Sequence, residues 1–393
     1  METPNKADIL NELEDLRDAI AERANTWRPD DPAYLADIFR QTAMSLSFSY
    51  FVYFHATPEH PDWAPLWNPV YTLQPNPDDL YLYSPLRGDL TYRVSGNRGT
   101  VKILSFTTQR YLSGTVDNLL AKVGGHNEID DSEMTFDESG NFEIIFSAAR
   151  PSGWTGNWSP LAADATAMMV RFRSYDWENE IDPTLSIECL DPVPPKPRLT
   201  PDQIHERVRE MAKFPARKTR TYYGMQNGVK QRVGFNVFEP VRYAGALAKQ
   251  VYWPACFQFD PGEALIIETD LPARRPYWNI QLNDPLFNAL EYVYRFSSLN
   301  GHTARVSSDG KFRAVIALED PGTPNWLDPA GYTEGGIYGR WFDCDSAPTP
   351  VIKRVKLADL LGALPPDTPV VTPQERAELL RRRVRACQRR RRW

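Results

Sequence analysis

The segment QPNPDDLYLY at 74–83 places amide, carboxylate and phenol side chains directly before an alternating apolar run. Adjacent carboxylates such as Asp78 and Asp79 can perform acid–base chemistry or bind a metal. The same letters are also ordinary turn chemistry, because Asn and Asp side chains bond nearby backbone N–H groups. The segment therefore predicts a turn before a strand, with Asn76, Asp79 and Tyr81 as candidate substrate-binding residues.

A second candidate site is the segment DPGTPNWLDPAG at 320–331 together with a later arginine, Arg340. Asn325, Trp326 and Arg340 would supply an amide, a stacking plane and a fixed positive fork, which suits a ligand at the rim of a β domain. The alternative is structural. In that interpretation Asn325 bonds the loop backbone and Trp326 covers the end of the domain.

Two further candidates lie in and near the turn SLNGHTARVSSDG. Arg295 could contact an anion and His302 could donate a proton, although a lone loop histidine is also an ordinary solvated side chain. If the second half of the chain holds the site, Arg340 should point from its strand into the space bordered by the 320–331 loop. Trp326 would then form a wall, with Arg295 or His302 nearby.

The common catalytic and metal signatures are missing from the sequence. It has no Gly-x-Ser-x-Gly elbow, no His-Glu-x-x-His and no phosphate-binding glycine loop. The four cysteines are far apart, and the acidic stretches HNEIDDSEM and YDWENE lack a matching set of histidines, so they indicate loop carboxylates. The sequence predicts no metal and no cofactor, and it leaves open whether the protein is an enzyme.

The elements that position these residues occur twice. ARPSGWTGNWSPLA at 149–162 repeats the Pro, Gly and Asn-Trp order of 320–331, and a Phe precedes and an Arg follows each copy. The copies align Trp158 with Trp326 and Arg171 with Arg340. We therefore predict two duplicated domains that superpose at these residues, with chance similarity as the alternative.

Both copies lie in stretches of period-two alternation broken by turns, without crossover helices between the strands. The predicted fold is mainly β, with two antiparallel β-sandwich, jelly-roll-like domains and with N-terminal, linker and C-terminal helices. The predicted segments are a helical prelude at 1–60, a first sandwich at 61–190, a proline-rich linker and helix at 191–230, a second sandwich at 231–350 and a helical tail at 351–393.

Three kinds of local signal define the helices. Residues 7–23 carry an apolar stripe at helical spacing, and Asp31 and Thr200 are each followed by a proline suited to a first helical turn. The tail from 372 ends in a dense arginine run that would suit RNA or an anionic membrane. Because aromatic residues do not interleave those arginines, a solvated helix end is the preferred interpretation.

Composition excludes several classes of protein. The 393 residues exceed the usual size of one core, and 42% apolar with 24% charged residues are typical of a globular chain. A formal charge of −6 argues against general nucleic-acid binding. The longest apolar run is too short for a bilayer, and the first residues lack a signal-peptide pattern, so we predict a cytoplasmic protein without a membrane span. Its oligomeric state is left open.

The stretches NPDDLYLYSPLRGDLTYRVSGNRGT, VRFRSYDWENE and DGKFRAVIALEDPGTPNWLDPAG, with the two Asn-Trp copies, resemble a known family. The chain is similar to bacterial proteins carrying the domain of unknown function 1214, often paired with domain of unknown function 1254. The resemblance covers about half of the chain and both predicted domains. It implies jelly-roll architecture and no agreed activity.

These observations predict binding, or binding and conversion, of a small amphipathic, hydroxylated or anionic organic molecule. The site would lie at the rim loops of a sandwich or in the cleft between the domains. The alternative is a noncatalytic binding or scaffold protein, with carbohydrate as a compatible ligand.

Overall fold

The fold is described from a computed structural model, and the described residues are 30–117, 125–243 and 247–390. The helix predicted at 7–23 lies outside these ranges. Helix α1 spans Pro32–Tyr50 and begins as the sequence predicts, because the Asp31 side chain accepts a hydrogen bond from the backbone N–H of Ala33 at 2.9 Å. A π-helical turn, Phe51–His55, continues it.

Helix α2 spans Pro201–Val233 and begins with a capping box in which Thr200 and Gln203 each bond the other's backbone N–H. Its second half buries one face between the two domains, including Tyr223 and Gln226. The helix therefore runs past residue 230, where the linker was predicted to end.

The first domain contributes nine strands within the described residues. They are β1 (Ala64–Leu66), β2 (Asp79–Pro85), β3 (Tyr92–Asn97), β4 (Ile103–Gln109), β5 (Gly125–Asp130), β6 (Asn141–Ser147), β7 (Asn157–Pro160), β8 (Ala167–Arg173) and β9 (Thr184–Cys189). One sheet has the order β1-β2-β8-β4-β5 and the other β7-β6-β3-β9. The stretch HNEIDD, predicted as a loop, largely belongs to β5.

The second domain contributes eight strands within the described residues. They are β10 (Gln250–Gln258), β11 (Glu263–Thr269), β12 (Tyr277–Asn283), β13 (Ser298–Asn300), β14 (Phe312–Ile316), β15 (Trp326–Leu327), β16 (Glu334–Phe342) and β17 (Val351–Lys356). Strand β17 lies beyond residue 350, in the segment predicted as a helical tail, and pairs with β11.

Strand order is the same in the two domains. The sheet β10-β16-β12-β13 repeats β2-β8-β4-β5, and β15-β14-β11-β17 repeats β7-β6-β3-β9. Pairing between the named strands is antiparallel, except that β7 and β15 each run parallel to their neighbour. The mainly β fold with two sandwich domains is thus confirmed. Trp158 and Trp326 lie on matching edge strands, and Arg171 and Arg340 on matching central ones.

Each sandwich has its own core, and the alternation of side chains decides what remains outside it. On β8, Val170 and Phe172 enter the first core, whereas on β16, Ile337 and Trp341 enter the second. Side chains of a strand alternate between the two faces of a sheet. Arg171 and Arg340 therefore lie on the outer faces of their sheets, and these are the faces through which the two domains meet.

The C-terminal segment crosses both domains. After a short helix α3 (Leu360–Ala363), helix α4 spans Pro373–Arg390. Arg376 forms an ion pair with Asp320 of the second domain at 2.8 Å, and Arg390 with Asp182 of the first at 3.3 Å. Both arginines are buried. The prediction of a solvated helix end is wrong for the face of α4 that carries Arg376 and Arg390. Their carboxylate partners lie far away in the sequence, so the sequence alone could not show the pairing.

Across the ranges described, no helix combines the length and apolar character needed to cross a bilayer.

Candidate ligand-binding site between the two sandwiches

Two arginines occupy matching positions on the outer faces of the two sheets. Arg171 is the register partner of Tyr81 across β2 and β8, and Arg340 is the register partner of Tyr252 across β10 and β16. The Arg171 guanidinium lies 5.9 Å from the Tyr81 ring centroid, and that of Arg340 lies 5.6 Å from the Tyr252 ring. We call Arg171 and Arg340 the arginine pair.

The hydrogen bonds of the arginine pair also match. Arg171 donates Nη1–H to Thr107 Oγ1 at 2.8 Å, and Arg340 donates Nη1–H to Gln281 Oε1 at 2.8 Å. Thr107 and Gln281 occupy equivalent positions on β4 and β12. Arg340 also donates Nη2–H to Gln74 Oε1 at 2.7 Å. Neutral oxygens therefore orient both guanidinium groups.

The arginine pair is buried without an ion-pair partner in the described part of the chain, although the charge of Asp79 acts on both arginines at longer range. Arg171 is 9% exposed and Arg340 is 3% exposed. Among residues 30–117, 125–243 and 247–390, no carboxylate oxygen lies within 4.0 Å of either guanidinium. Because an unpaired charge is costly to bury, this arrangement requires an explanation beyond packing.

The neighbouring Arg173 shows the opposite arrangement. It forms a two-point ion pair with Asp79, with Nε–Oδ1 2.6 Å and Nη2–Oδ2 2.8 Å, and both side chains are almost fully buried. Burial alone would raise the pKa of Asp79, but the charge and hydrogen bonds of Arg173 hold that pKa below its ordinary value. Arg173 therefore compensates the charge of Asp79 within the interface.

Both members of the arginine pair act on Tyr81. Its hydroxyl donates to Asp79 Oδ2 at 3.1 Å and accepts from the backbone N–H of Asn76 at 3.2 Å. Burial and the charge of Asp79 raise the pKa of Tyr81, while the charges of Arg340 and Arg171 oppose that rise. The charges of the two guanidinium groups, which come from different domains, therefore act on the same phenol.

Further tyrosines enclose the region. Tyr222 of α2, Tyr243 and Tyr252 are each half-buried. Burial raises the pKa of Tyr222, and Arg171 opposes that rise. The rings of Tyr243 and Tyr252 lie 5.1 Å apart. These half-buried rings lie beside the arginine pair or beside one another, so we count them as candidate ligand contacts.

The loop that presents Gln74 to Arg340 has strained backbone. Trp67, Tyr71, Leu73 and Gln74 adopt positive φ angles of 61°, 55°, 65° and 46°. Non-glycine residues in this region cost free energy and persist where the surroundings hold them in place, often at functional sites. This strain supports a specific role for the position of Gln74.

The candidates at 74–83 lie between the domains, close to Arg340. Asn76 accepts a hydrogen bond from Asn279 Nδ2 at 2.7 Å and donates one to Tyr277 OH at 2.8 Å, so its amide joins the two domains. Asp79 and Tyr81 contact Arg173 and Asn76 as described above. The charge of Arg340 acts on Asp79 and Tyr81, but neither of these residues nor Asn76 forms a hydrogen bond with Arg340.

The predicted rim site is not assembled. Asn325 donates both amide hydrogens to the carbonyls of Arg305 and Arg313, each at 2.7 Å, and Trp326 Nε1–H donates to the carbonyl of Ala317 at 2.9 Å. These contacts match the structural interpretation of the motif. The prediction that Arg340 points into the space beside this loop is wrong, because Arg340 faces away from the core that separates its sheet from β15.

Arg295 and His302 also lie apart from the arginine pair. Arg295 forms an ion pair with Asp328 at 2.8 Å and is 45% exposed on its side chain. His302 is exposed, with Nε2 3.7 Å from Asp176 Oδ1. Neither side chain has a hydrogen bond or ion pair to Arg340 or Arg171.

A separate cavity of about 320 Å³ borders the rim loop. Arg305, Val315, Thr323, Asn325 and Leu364 are among the residues that line it. It lies against the outer sheet of the second sandwich, and neither Arg171 nor Arg340 lines it. Over the described residues, no three His, Cys, Asp or Glu side chains are grouped as a metal site would require.

Sequence reasoning missed several residues of the interdomain site. Arg171 could have been found, because the repeat aligns it with Arg340. Thr107, Tyr222 and Tyr252 carry no motif, and they join the site only through strand register and the docking of α2 between the domains.

The fold and the arginine pair define a protein with two duplicated sandwiches that meet through polar faces of their sheets. Residues 83–178 match the family described as Protein of unknown function (DUF1214), which confirms, for this part of the chain, the family predicted from the sequence. The match falls on the first sandwich, and the pairing with domain 1254 stays a prediction.

Two solved bacterial structures are similar to the chain. An uncharacterised protein from Burkholderia cenocepacia is 27% identical with a TM-score of 0.81, over 90% of this chain and 96% of that chain. A protein from Vibrio parahaemolyticus is 13% identical with a TM-score of 0.47, over 88% of this chain and 100% of that chain. No curated protein sequence matches the chain.

Proposed function

We propose that the protein binds a small anionic organic molecule in the cleft between the sandwiches, with Arg171 and Arg340 as its anchors. One observation carries the proposal: two buried guanidinium groups, at matching positions of the two domains, have no carboxylate within 4.0 Å among the described residues. A carboxylate or similar anion would offset the cost of burying them and would form strong charge-assisted hydrogen bonds.

The surrounding side chains support an organic ligand with hydroxyl or aromatic character. Tyr81, Tyr222 and Tyr252 offer ring faces and hydroxyl groups. Burial raises the pKa of Tyr81 and of Tyr222, so both hydroxyls remain protonated at neutral pH. The hydroxyl hydrogen of Tyr81 is donated to Asp79, so Tyr81 offers a ligand its ring face. A ring or hydroxyl-bearing body next to the anionic group would suit these walls.

Binding is favoured over acid–base catalysis at these residues. A general base or acid works best with a pKa near the working pH. The pKa of Asp79 is lowered and that of Tyr81 is raised, so both move away from neutrality. We therefore propose a binding protein, and an enzyme remains the alternative if a reacting group is supplied by the ligand itself.

The setting that we propose is the cytoplasm, with a small molecule as the partner. Among the described residues, Cys189, Cys256, Cys344 and Cys387 form no disulfide, as is usual in a reducing compartment.

Isothermal titration calorimetry with malonate and with phthalate tests this proposal. We expect saturable binding to the wild type and a loss of about tenfold or more in Arg340→Gln, which corresponds to at least one lost charge-assisted contact. Arg354→Gln is the matched control, because Arg354 pairs with Glu263 and Asp260 on the outer sheet of the same domain. Absence of binding to the wild type, or equal binding by Arg340→Gln, would contradict the proposal.

A further inference from the structure

We propose that the ligand of the interdomain cleft is a dianion, with one negative charge for each member of the arginine pair. This inference rests on the proposed function and specifies the class of ligand. It follows from the balance of buried charges around the cleft and from the origin of the two guanidinium groups in different domains.

The charges contributed by the chain do not balance at the cleft. Asp79 and Arg173 neutralise each other through their two-point ion pair. Arg171 and Arg340 each add a positive charge, and their oriented contacts are to the neutral oxygens of Thr107, Gln281, Asn279 and Gln74. The single carboxylate of Asp79 also acts on Arg171 and Arg340. Three guanidinium groups therefore share one negative charge, and among these four side chains a net of two positive charges remains in a region of low dielectric constant.

Asp78 does not supply the missing charge. Its Oδ1 accepts from Trp177 Nε1 at 2.9 Å and from Asn300 Nδ2 at 2.7 Å, and its Oδ2 accepts from Tyr277 OH at 2.7 Å. Burial raises the pKa of this carboxyl, and hydrogen bonds from Tyr277 and Asn300 oppose the rise. Neutral donors therefore occupy the carboxyl of Asp78.

The tyrosines also add no negative charge. Burial raises the pKa of Tyr81, Tyr222 and Tyr243, so the hydroxyls at the cleft stay neutral. A monoanion would compensate one guanidinium and leave the other buried and unpaired. A dianion compensates both, and it also contacts both domains at once.

Matched pairs of probes test the charge of the ligand. Phthalate and benzoate share a ring, and malonate and acetate share a carboxymethyl group, but the first of each pair carries two charges near neutral pH. By calorimetry we expect wild type to prefer the dianion of each pair by about tenfold or more. Arg171→Gln and Arg340→Gln should each reduce this preference to about twofold, since only one guanidinium remains.

The controls are Arg93→Gln on β3 and Arg354→Gln on β17, whose arginines lie on the outer sheets of the two domains and are paired with glutamates. Both should keep the wild-type preference. Equal binding of monoanions and dianions by wild type would contradict a dianionic ligand, whereas the proposal that the protein binds an anion would stand. An unchanged preference in either single variant would also overturn it. Absence of binding by all four probes would instead overturn the proposed function.

Discussion

The two sandwiches differ most at one pair of matching positions in the interface. In the first domain, Asp79 and Arg173 face each other across β2 and β8 as a buried ion pair, whereas in the second domain Gln250 and Phe342 hold the equivalent positions. Arg173 also reaches across the interface, donating Nη1–H to Gln250 at 3.0 Å. Its guanidinium lies 5.3 Å from the centroid of the Phe342 ring.

This difference separates two uses of arginine in one interface. Arg173 has a carboxylate partner and joins the domains, so its role is structural. Arg171 and Arg340 recur in both domains with the same neutral contacts and no ion pair within the described ranges. The comparison supports our proposal that the arginine pair binds a ligand, and variants of the three arginines test whether the two roles are distinct.

The largest effect is expected from Arg173→Gln. Removing one partner leaves the Asp79 charge buried, which costs about 3–5 kcal/mol in the free energy of unfolding. Urea denaturation measures the loss. Arg354→Gln, at an exposed ion pair, should leave the free energy of unfolding nearly unchanged. A loss below about 1 kcal/mol in Arg173→Gln would contradict a structural role for Arg173.

The two Asn-Trp segments, at 157–158 and 325–326, provide a second comparison between the domains. Asn157 bonds the carbonyls of Thr135 and Glu143, as Asn325 bonds those of Arg305 and Arg313. Asn325→Ala should cost about 1–3 kcal/mol, because it leaves buried backbone groups without partners.

Asn157→Ala should cost less than Asn325→Ala, since Asn157 is half-buried and water can replace part of its bonding, whereas Asn325 is buried. Urea denaturation of both variants checks the order. A larger loss in Asn157→Ala would show that exposure does not decide the cost in the two Asn-Trp segments.

Asp284 allows the two domains to be compared by the pH dependence of the free energy of unfolding. The equivalent position in the first domain is Arg110, which is exposed and paired with Asp164 at 2.9 Å. Burial raises the pKa of Asp284 to about 6, above its value in the unfolded chain. Folding then favours the protonated carboxyl, so this contribution to stability is full near pH 4 and is lost as pH rises through about 6.

The free energy of unfolding of wild type, minus that of Asp284→Asn, should therefore fall by about 1–2 kcal/mol between roughly pH 4 and pH 7. Taking the difference cancels the contributions of other groups, which titrate in both proteins, to the free energy of unfolding. A difference that stays constant over this range would contradict the raised pKa.

The sequence predicts the duplication well and the site only in part. Alternation and the repeated Asn-Trp order are local features, and they correctly predict two sandwiches with Trp158 and Trp326 at matching edges. Arg340 lies on the outer face of β16 because its neighbour Trp341 enters the core. That choice of face is fixed by the packing of the two sheets, which the sequence alone does not show. Tyr222 and Tyr252 approach the cleft through contacts between distant segments, which no local pattern encodes.

The smallest change in stability is expected from Arg171→Gln and Arg340→Gln. Each removes a buried charge that has no carboxylate partner among the described residues, so lost hydrogen bonds and relieved desolvation nearly cancel, within about 1 kcal/mol. Urea denaturation without added ligand measures this. A loss as large as that of Arg173→Gln would show that the arginine pair is structural too.

The most direct measurement is a crystal structure of the protein with 4-bromophthalate, in which anomalous scattering from bromine locates the ligand. We expect one carboxylate of the ligand at about 2.7–2.9 Å from guanidinium nitrogens of Arg171 and its other carboxylate at a similar distance from those of Arg340. A bromine peak only in the cavity beside Arg305 and Thr323, or no peak in the cleft at saturating concentration, would contradict it.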